Sequence, residues 1–189
     1  VPYNGPREKH FLFVGRLSEE KGIRLLLEAF ANSPHRLRII GDGPLKSEVE
    51  EFLKNHANVT YLGFLQKTEI ETELRQSTAL IFPSIWTEAF GLILIEAFAQ
   101  CTSVIAPDSG SAGIIVKNNL NGLHFEIGNA ADLQAKINQW ARLDVAQQET
   151  YRQNAFKSYL ANFTAEKNLQ QLKVIYQAAV SANPFDNHG

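Results

Sequence analysis

The sequence predicts an α/β fold, a parallel sheet of about six strands with helices on both faces, and three observations carry that reading. Short runs that are apolar or nearly so recur at 11–15, 37–41, 79–82 and 103–106. Most are followed by a stretch whose apolar residues have helical spacing, not by a tight turn and a second strand. Glycines and charged residues gather just after the strands. Strands covered on both faces lose the in/out alternation, which marks a parallel sheet packed between helices. At 189 residues the chain suffices for one domain with a sizeable core.

Taken in order, Phe11–Gly15 is a buried strand that ends in glycine. Residues 16–22 form a polar loop, after which Ile23, Leu26, Leu27 and Phe30 fall at i, i+3, i+4, i+7, the spacing of an amphipathic helix. Leu37–Gly41 is a second strand, closed by Gly41-Asp42-Gly43-Pro44, and a helix from Leu45 to about His56 follows with Leu45, Val49, Phe52 and Leu53 on one face. Val59–Gly63 is a third strand, and Thr68–Gln76 a short helix with Ile70 and Leu74 inward. Ala79–Phe82 is the fourth strand, stopped by Pro83; a loop leads to a helix that starts near Gly91. Ser103–Ala106 is the fifth, ended by a Pro107-Asp108-Ser109-Gly110 turn, and Gly122–Phe125 the sixth. Ala131–Leu143 is a helix with Leu133, Ile137 and Trp140 inward, and two more helices close the chain at roughly 146–161 and 164–180. Residues 1–9 read as a linker, 10–180 as the domain and 181–189 as a loose tail.

Composition removes several function classes. Eighteen basic side chains face 20 acidic ones, so no general affinity for nucleic acid or anionic membrane is expected. No apolar run approaches the length of a membrane span, and no signal peptide precedes the first strand. The single cysteine, Cys101, excludes an internal disulfide and fits a reducing compartment, so the expected location is the cytoplasm. Methionine is absent, even at position 1, so the chain reads as a piece of something longer. There is no Asp-x-Asp pair or His/Asp cluster to suggest a metal, no Gly-x-Gly-x-x-Gly after the first strand, no Walker loop and no nucleophile elbow.

In open parallel sheets ligands bind outside the carboxyl ends of the strands. The segments there carry the unusual chemistry: Arg16 and Lys21, Gly41-Asp42-Gly43, Gly63-Phe64-Leu65, and the run from Phe82 to Ala97. That last run places Glu88 in the loop and Glu96 in the helix, so the two carboxylates bracket the helix N-terminus with the N–H groups of Phe90, Gly91 and Leu92 between them. The first N–H groups of a helix have no intrahelical partner and attract an anion. Two acceptor-only carboxylates beside an anion site suit a ligand with phosphate in the middle and hydroxyls at both ends, such as a sugar nucleotide. Each feature also has a plain reading. Arg16 and Lys21 can be solvated loop charges paired with Glu19 and Glu20. Glu88 can simply complement the helix dipole, Gly41–Pro44 can be a turn, and Trp86 is expected to pack under its loop. Glu96 sits among Leu94, Ile95, Ala97 and Phe98, where a buried unpaired carboxylate would be costly, so it is expected to find a partner or point into a cleft.

The ordered pieces Val14-Gly15-Arg16-Leu17 with Lys21-Gly22, Ile40-Gly41-Asp42-Gly43-Pro44, Tyr61-Leu62-Gly63, Pro83-Ser84, and Glu88-x-Phe90-Gly91 with Glu96-Ala97 resemble the C-terminal domain of the GT-B glycosyltransferases of family 4 over about residues 10–180. The resemblance implies one Rossmann-like half of a GT-B fold and a retaining, metal-independent enzyme. It would use a UDP- or GDP-linked sugar as co-substrate, with no other cofactor. By this likeness Arg16, Lys21 and Glu88 are the catalytic group. Arg16 and Lys21 bind the donor diphosphate and stabilise the leaving group; Glu88 faces the transferred sugar. Gly15, Phe90, Gly91 and Leu92 border the donor, Glu96 accepts from the ribose hydroxyls, and the segment around Leu65 meets the base. The resemblance further implies a glycan or lipid-linked acceptor held by an N-terminal domain absent from this chain, and peripheral membrane association through that domain. Cys101, Ser103 and Gly113 depart from the family pattern, and Gly113 stands where a glutamate is common. On this reading the chain alone binds donor weakly and transfers little. The alternatives are one subunit of a split enzyme, or a catalytically silent scaffold of the same fold.

Overall fold

The computed structural model describes residues 3, 5–86, 91–164 and 166–167. The elements follow in the order β1 (His10–Val14), α1 (Ile23–Ala31), β2 (Arg36–Ile40), α2 (Lys46–Leu53), β3 (Val59–Gly63), α3 (Lys67–Gln76), β4 (Ala79–Ile81), α4 (Leu92–Ala99), β5 (Val104–Pro107), α5 (Gly110–Ile115), β6 (Gly122–Phe125), α6 (Ala130–Arg142) and α7 (Val145–Asn162). Among the described residues the strands form one parallel sheet in the order β3-β2-β1-β4-β5-β6. This is the expected α/β architecture.

Because side chains alternate across a strand, β1 to β5 feed two cores, one on each face of the sheet. Phe11 and Phe13 of β1 pack on one face with Leu26 and Phe30 of α1, Val49 of α2 and Trp140 of α6. Leu12, between them, packs on the other face with Leu74 of α3, Phe98 of α4, Ala112 of α5 and Ala155 of α7. Local chemistry sets several helix ends. Asn129 Oδ1 accepts from the Asp132 amide at 2.9 Å to start α6, and Asp144 accepts from the Gln147 amide at 2.8 Å to start α7. Each such cap is worth about 1 kcal/mol.

Strand boundaries fall within one residue of the sequence reading. The turn expected at 107–110 opens into α5, a helix that the sequence reading lacks; six residues with two glycines, Gly110 and Gly113, carry too weak a helical signal. The helix expected at 164–180 lies almost wholly outside the described residues. Among the described residues no helix is long and apolar enough to cross a membrane.

Within the segment read as a linker, Arg7 is tied down. Its guanidinium donates to Leu74 O and Ser77 O at the end of α3, and to Gln100 O, Cys101 O and Thr102 Oγ1 just past α4. A cation there meets the negative ends of two helices at once. Glu8 follows, its amide on Gln76 O at 2.7 Å and its carboxylate on Arg38.

His10 sits beside this clasp at the amino end of β1, only 2% exposed. Its ring nitrogens stand 3.4 Å from Glu8 and 3.6 Å from Glu73, and Arg38 bridges both carboxylates. Burial first, and then the Arg38 charge, hold the imidazolium pKa below its usual value. The folded ring therefore stays neutral where the unfolded chain already takes up a proton. Stability is expected to be level above about pH 6.5 and to fall as pH drops from there toward the folded pKa, by at most about 1.4 kcal/mol per pH unit. Urea titrations between pH 5 and 8 should show this slope in the wild type and a shallower one in His10→Gln.

Candidate functional site

The strand order reverses between β1 and β4. α1 leaves β1 toward one face of the sheet and α4 follows β4 on the other, so a crevice opens at their carboxyl ends. A cleft of about 330 Å³ lies there. Phe13, Val14, Gly15 and Arg16 line it from β1, Lys21 from the following loop, Phe82, Pro83 and Ser84 from the end of β4, and Leu92, Ile93 and Glu96 from α4.

Backbone contacts too close for a side chain build its walls. Gly22, the N-cap of α1, adopts φ 72°, and a Cβ on it would lie 1.9 Å from Pro83 O. Gly41 adopts φ 138°, and a Cβ there would lie 1.8 Å from Gly15 O. The Gly41-Asp42-Gly43 segment is therefore more than a turn: it presses on the back of the loop that carries Gly15 and Arg16. The amides of Gly15 and Leu17 donate to Ile40 O at 3.0 Å and Asp42 O at 2.9 Å, and Tyr61 Oη donates to Gly41 O at 2.8 Å.

α4 buries Leu94, Ala97 and Phe98 and turns the stripe of Leu92, Ile93 and Glu96 toward the cleft. Gly91 is its N-cap and has no side chain with which to cap it. The first residues of the helix, Leu92 and Ile93, line the cleft. Glu96 is exposed and lines the cleft; i, i+4 spacing from Leu92 puts it on the open stripe. It meets the cleft instead of the core, so its charge carries no burial penalty to offset.

The basic side of the cleft is also organised. Glu19 pairs with Arg24 at 3.3 Å, and Arg24 holds Glu48 through two bonds of 2.8 and 2.9 Å. Glu20 accepts from Ser18 Oγ at 2.6 Å. That bond, then Glu20's own amide, hold its carboxyl below the usual range, and the charges of Arg16 and Lys21 add to the effect.

Of the residues singled out from sequence, Gly15, Arg16, Lys21, Leu92 and Glu96 converge on this cleft, with Gly91 at its helix cap. Leu65 does not line it. With Leu62, Thr68, Glu69, Thr72 and Glu73, Leu65 lines a second hollow of about 510 Å³ between the end of β3 and α3. Glu88 and Phe90 lie outside the described residues. Trp86, expected to be packed, is 69% exposed, and Phe64 is 71% exposed. The sequence reading gave no role to Phe13, Phe82, Pro83, Ser84 or Ile93; the Pro83-Ser84 pair directly after a strand was the available signal. Among the described residues no group of three or more His, Cys, Asp or Glu side chains is placed to hold a metal ion.

Residues 4–158 match the family described as glycosyl transferases group 1. The chain belongs to that family. A curated relative, an uncharacterized glycosyltransferase of Methanocaldococcus jannaschii, is 30% identical over 182 residues, covering 94% of this chain and 50% of that protein. The fold of Anabaena HepE, solved in complex with UDP, superposes with a TM-score of 0.82 at 22% identity, covering 91% of this chain and 49% of HepE. The C-terminal domain of a group 1 glycosyl transferase from Francisella tularensis superposes with a TM-score of 0.74 at 22% identity, covering 85% of this chain and 88% of that one. The group 1 chain described here thus has the Rossmann-like GT-B domain architecture, and it spans about half the length of the first two relatives.

The Gly22 contact gives a direct test of how this group 1 cleft is built. Gly22→Ala forces a Cβ into the left-handed region and against the Pro83 carbonyl. A loss of about 2 kcal/mol or more is expected in urea unfolding, well beyond an ordinary surface substitution.

Proposed function

We propose that this chain is the donor-binding half of a retaining glycosyltransferase that moves a hexose from a UDP- or GDP-sugar to a glycan or glycolipid acceptor. The observation that carries the reading is the cleft at the switch point, where Arg16 and Lys21 share the lining with the glycine-capped N-terminus of α4 and Glu96 stands one turn further along. Cations and helix amides together suit a diphosphate. A carboxylate beside them suits the hydroxyls of a ribose. HepE, which shares the fold, was solved in complex with UDP.

On this reading Arg16 and Lys21 stabilise the negative charge that grows on the departing nucleoside diphosphate, with the α4 amides assisting. Glu96 orients the nucleotide through its ribose. Glu88 and Phe90, outside the described residues, keep the roles at the sugar that the family likeness implies. The hollow at Leu65 lies on the same edge of the sheet and is where the base would rest. No metal and no cofactor beyond the nucleotide sugar enters the reaction. The acceptor site belongs to the remainder of a two-domain enzyme, working in the cytoplasm at the inner face of a membrane. Transfer by this chain alone is expected to be slight, because the group that orients the acceptor is elsewhere.

Thermal unfolding with and without millimolar UDP, GDP, ADP and their sugar conjugates tests the donor site. A ligand at 100 times its dissociation constant stabilises by about 2.7 kcal/mol, roughly 5–10 °C for a domain of this size. One nucleotide family should give the shift, and Lys21→Ala and Glu96→Ala should each abolish most of it. EDTA should leave it unchanged. Equal shifts in wild type and both variants would remove the cleft from the donor site.

A further inference from the structure

The donor-site reading employs Arg16, Lys21 and Glu96 but leaves one buried hydroxyl of the same cleft without a role. Ser84 is 2% exposed and lines the cleft directly after Pro83. Its single hydroxyl proton faces two carbonyls, Glu20 O at 3.0 Å and Trp86 O at 3.2 Å. Glu20 O also receives the Ile85 amide at 3.1 Å. The residue after Glu20 is Lys21, and the next, Gly22, lies under Pro83 O. The loop that carries the cleft lysine is therefore held to residues 83–86 by contacts centred on residue 20. Ser84 adds a side-chain hydrogen bond to that seam.

The two acceptors sit on different parts of the site. Glu20 belongs to the cation loop, and Trp86 to the segment that runs from β4 toward α4. A proton offered to one is withheld from the other, and Glu20 O keeps the Ile85 amide in either case. Removing the hydroxyl thus loosens the spacing of the two segments without leaving the Glu20 carbonyl orphaned.

We propose that Ser84 is a positioning residue of the donor site: its hydroxyl sets where Lys21 stands relative to the N-terminus of α4, and so sets the affinity for a nucleoside diphosphate. This rests on the donor-site reading above. A hydroxyl that acts through Lys21 must be energetically coupled to it, whereas one that merely supports the fold need not be.

The test is calorimetric titration of wild type, Ser84→Ala, Ser84→Thr, Lys21→Gln and the Ser84→Ala/Lys21→Gln double variant with UDP, GDP and ADP, alongside thermal unfolding without nucleotide. Ser84→Ala should weaken the bound nucleoside diphosphate about 10-fold, the scale of one hydrogen bond, with little change in unliganded melting temperature. Ser84→Thr, which restores a hydroxyl, should recover most of that loss. In the Lys21→Gln background Ser84→Ala should change affinity by less than about 2-fold. Wild-type affinity in Ser84→Ala, no recovery in Ser84→Thr, or losses that multiply in the double variant would each overturn Ser84's role while leaving the donor site standing. Failure of the wild type to bind any of the three would overturn both.

Discussion

The close approach of the β1–α1 loop to the segment after β4 is the constraint on which the cleft depends. A parallel sheet whose order reverses at β1 and β4 sends α1 and α4 to opposite faces, and the two loops that leave the strands must share the gap. They share it at van der Waals limit. Gly22 has no side chain because the Pro83 carbonyl occupies the place a Cβ would take. The same contact fixes Lys21, one residue earlier, against a wall built from another strand. A left-handed backbone at the N-cap of α1 gives up a polar cap, which is worth only a few tenths of a kcal/mol when glycine stands in its place. The packing of the two loops offsets that loss.

α4 shows the same division between stability and site. Leu94, Ala97 and Phe98 hold it in the core, and of the cleft-facing stripe Ile93 packs against that core while Leu92 and Glu96 are exposed. Leu92 is exposed, Glu96 lies in the open, and the cap is a glycine beside the cleft. Away from the cleft the opposite policy holds. Arg7 takes up the carbonyl ends of α3 and α4 together, and Asn129 and Asp144 close the starts of α6 and α7. These three side chains close helix ends that lie away from the cleft.

The strands were legible because burial on both faces leaves an uninterrupted apolar run, and the amphipathic helices because their apolar residues repeat at 3.6. The edge of the sheet that carries the site was legible too, since glycines and charged residues gather just after the strands. What could not be read depends on the third dimension. Glu96 looks buried when its neighbours are counted along the chain and proves exposed when the helix is wound, because Leu94, Ala97 and Phe98 lie on the other side. α5 is too short and too rich in glycine to announce itself. Arg7 lies in a stretch without periodicity, and its partners are four carbonyls and a hydroxyl 67 to 95 residues away, which no pattern of side chains records. Ser84 was visible as a residue but not as a link, for its acceptors are backbone atoms on two loops.

The openness of the cleft bears on how the proposed chemistry would be powered. Arg16 is exposed at the rim, and a unit charge pair at 4 Å is worth about 1 kcal/mol in bulk water but about 4 kcal/mol at an effective dielectric of 20. The same arginine and the same phosphate thus differ severalfold in interaction energy according to whether water stands between them. Stabilisation of a leaving diphosphate, as proposed, would grow with that factor. On the proposed reading, whatever covers the open side of the cleft does two things at once. It brings the acceptor to the sugar, and it raises the worth of cations that the sheet has already set in place. Donor binding and catalysis would then be separable: the first weakly present in this domain, the second dependent on closure.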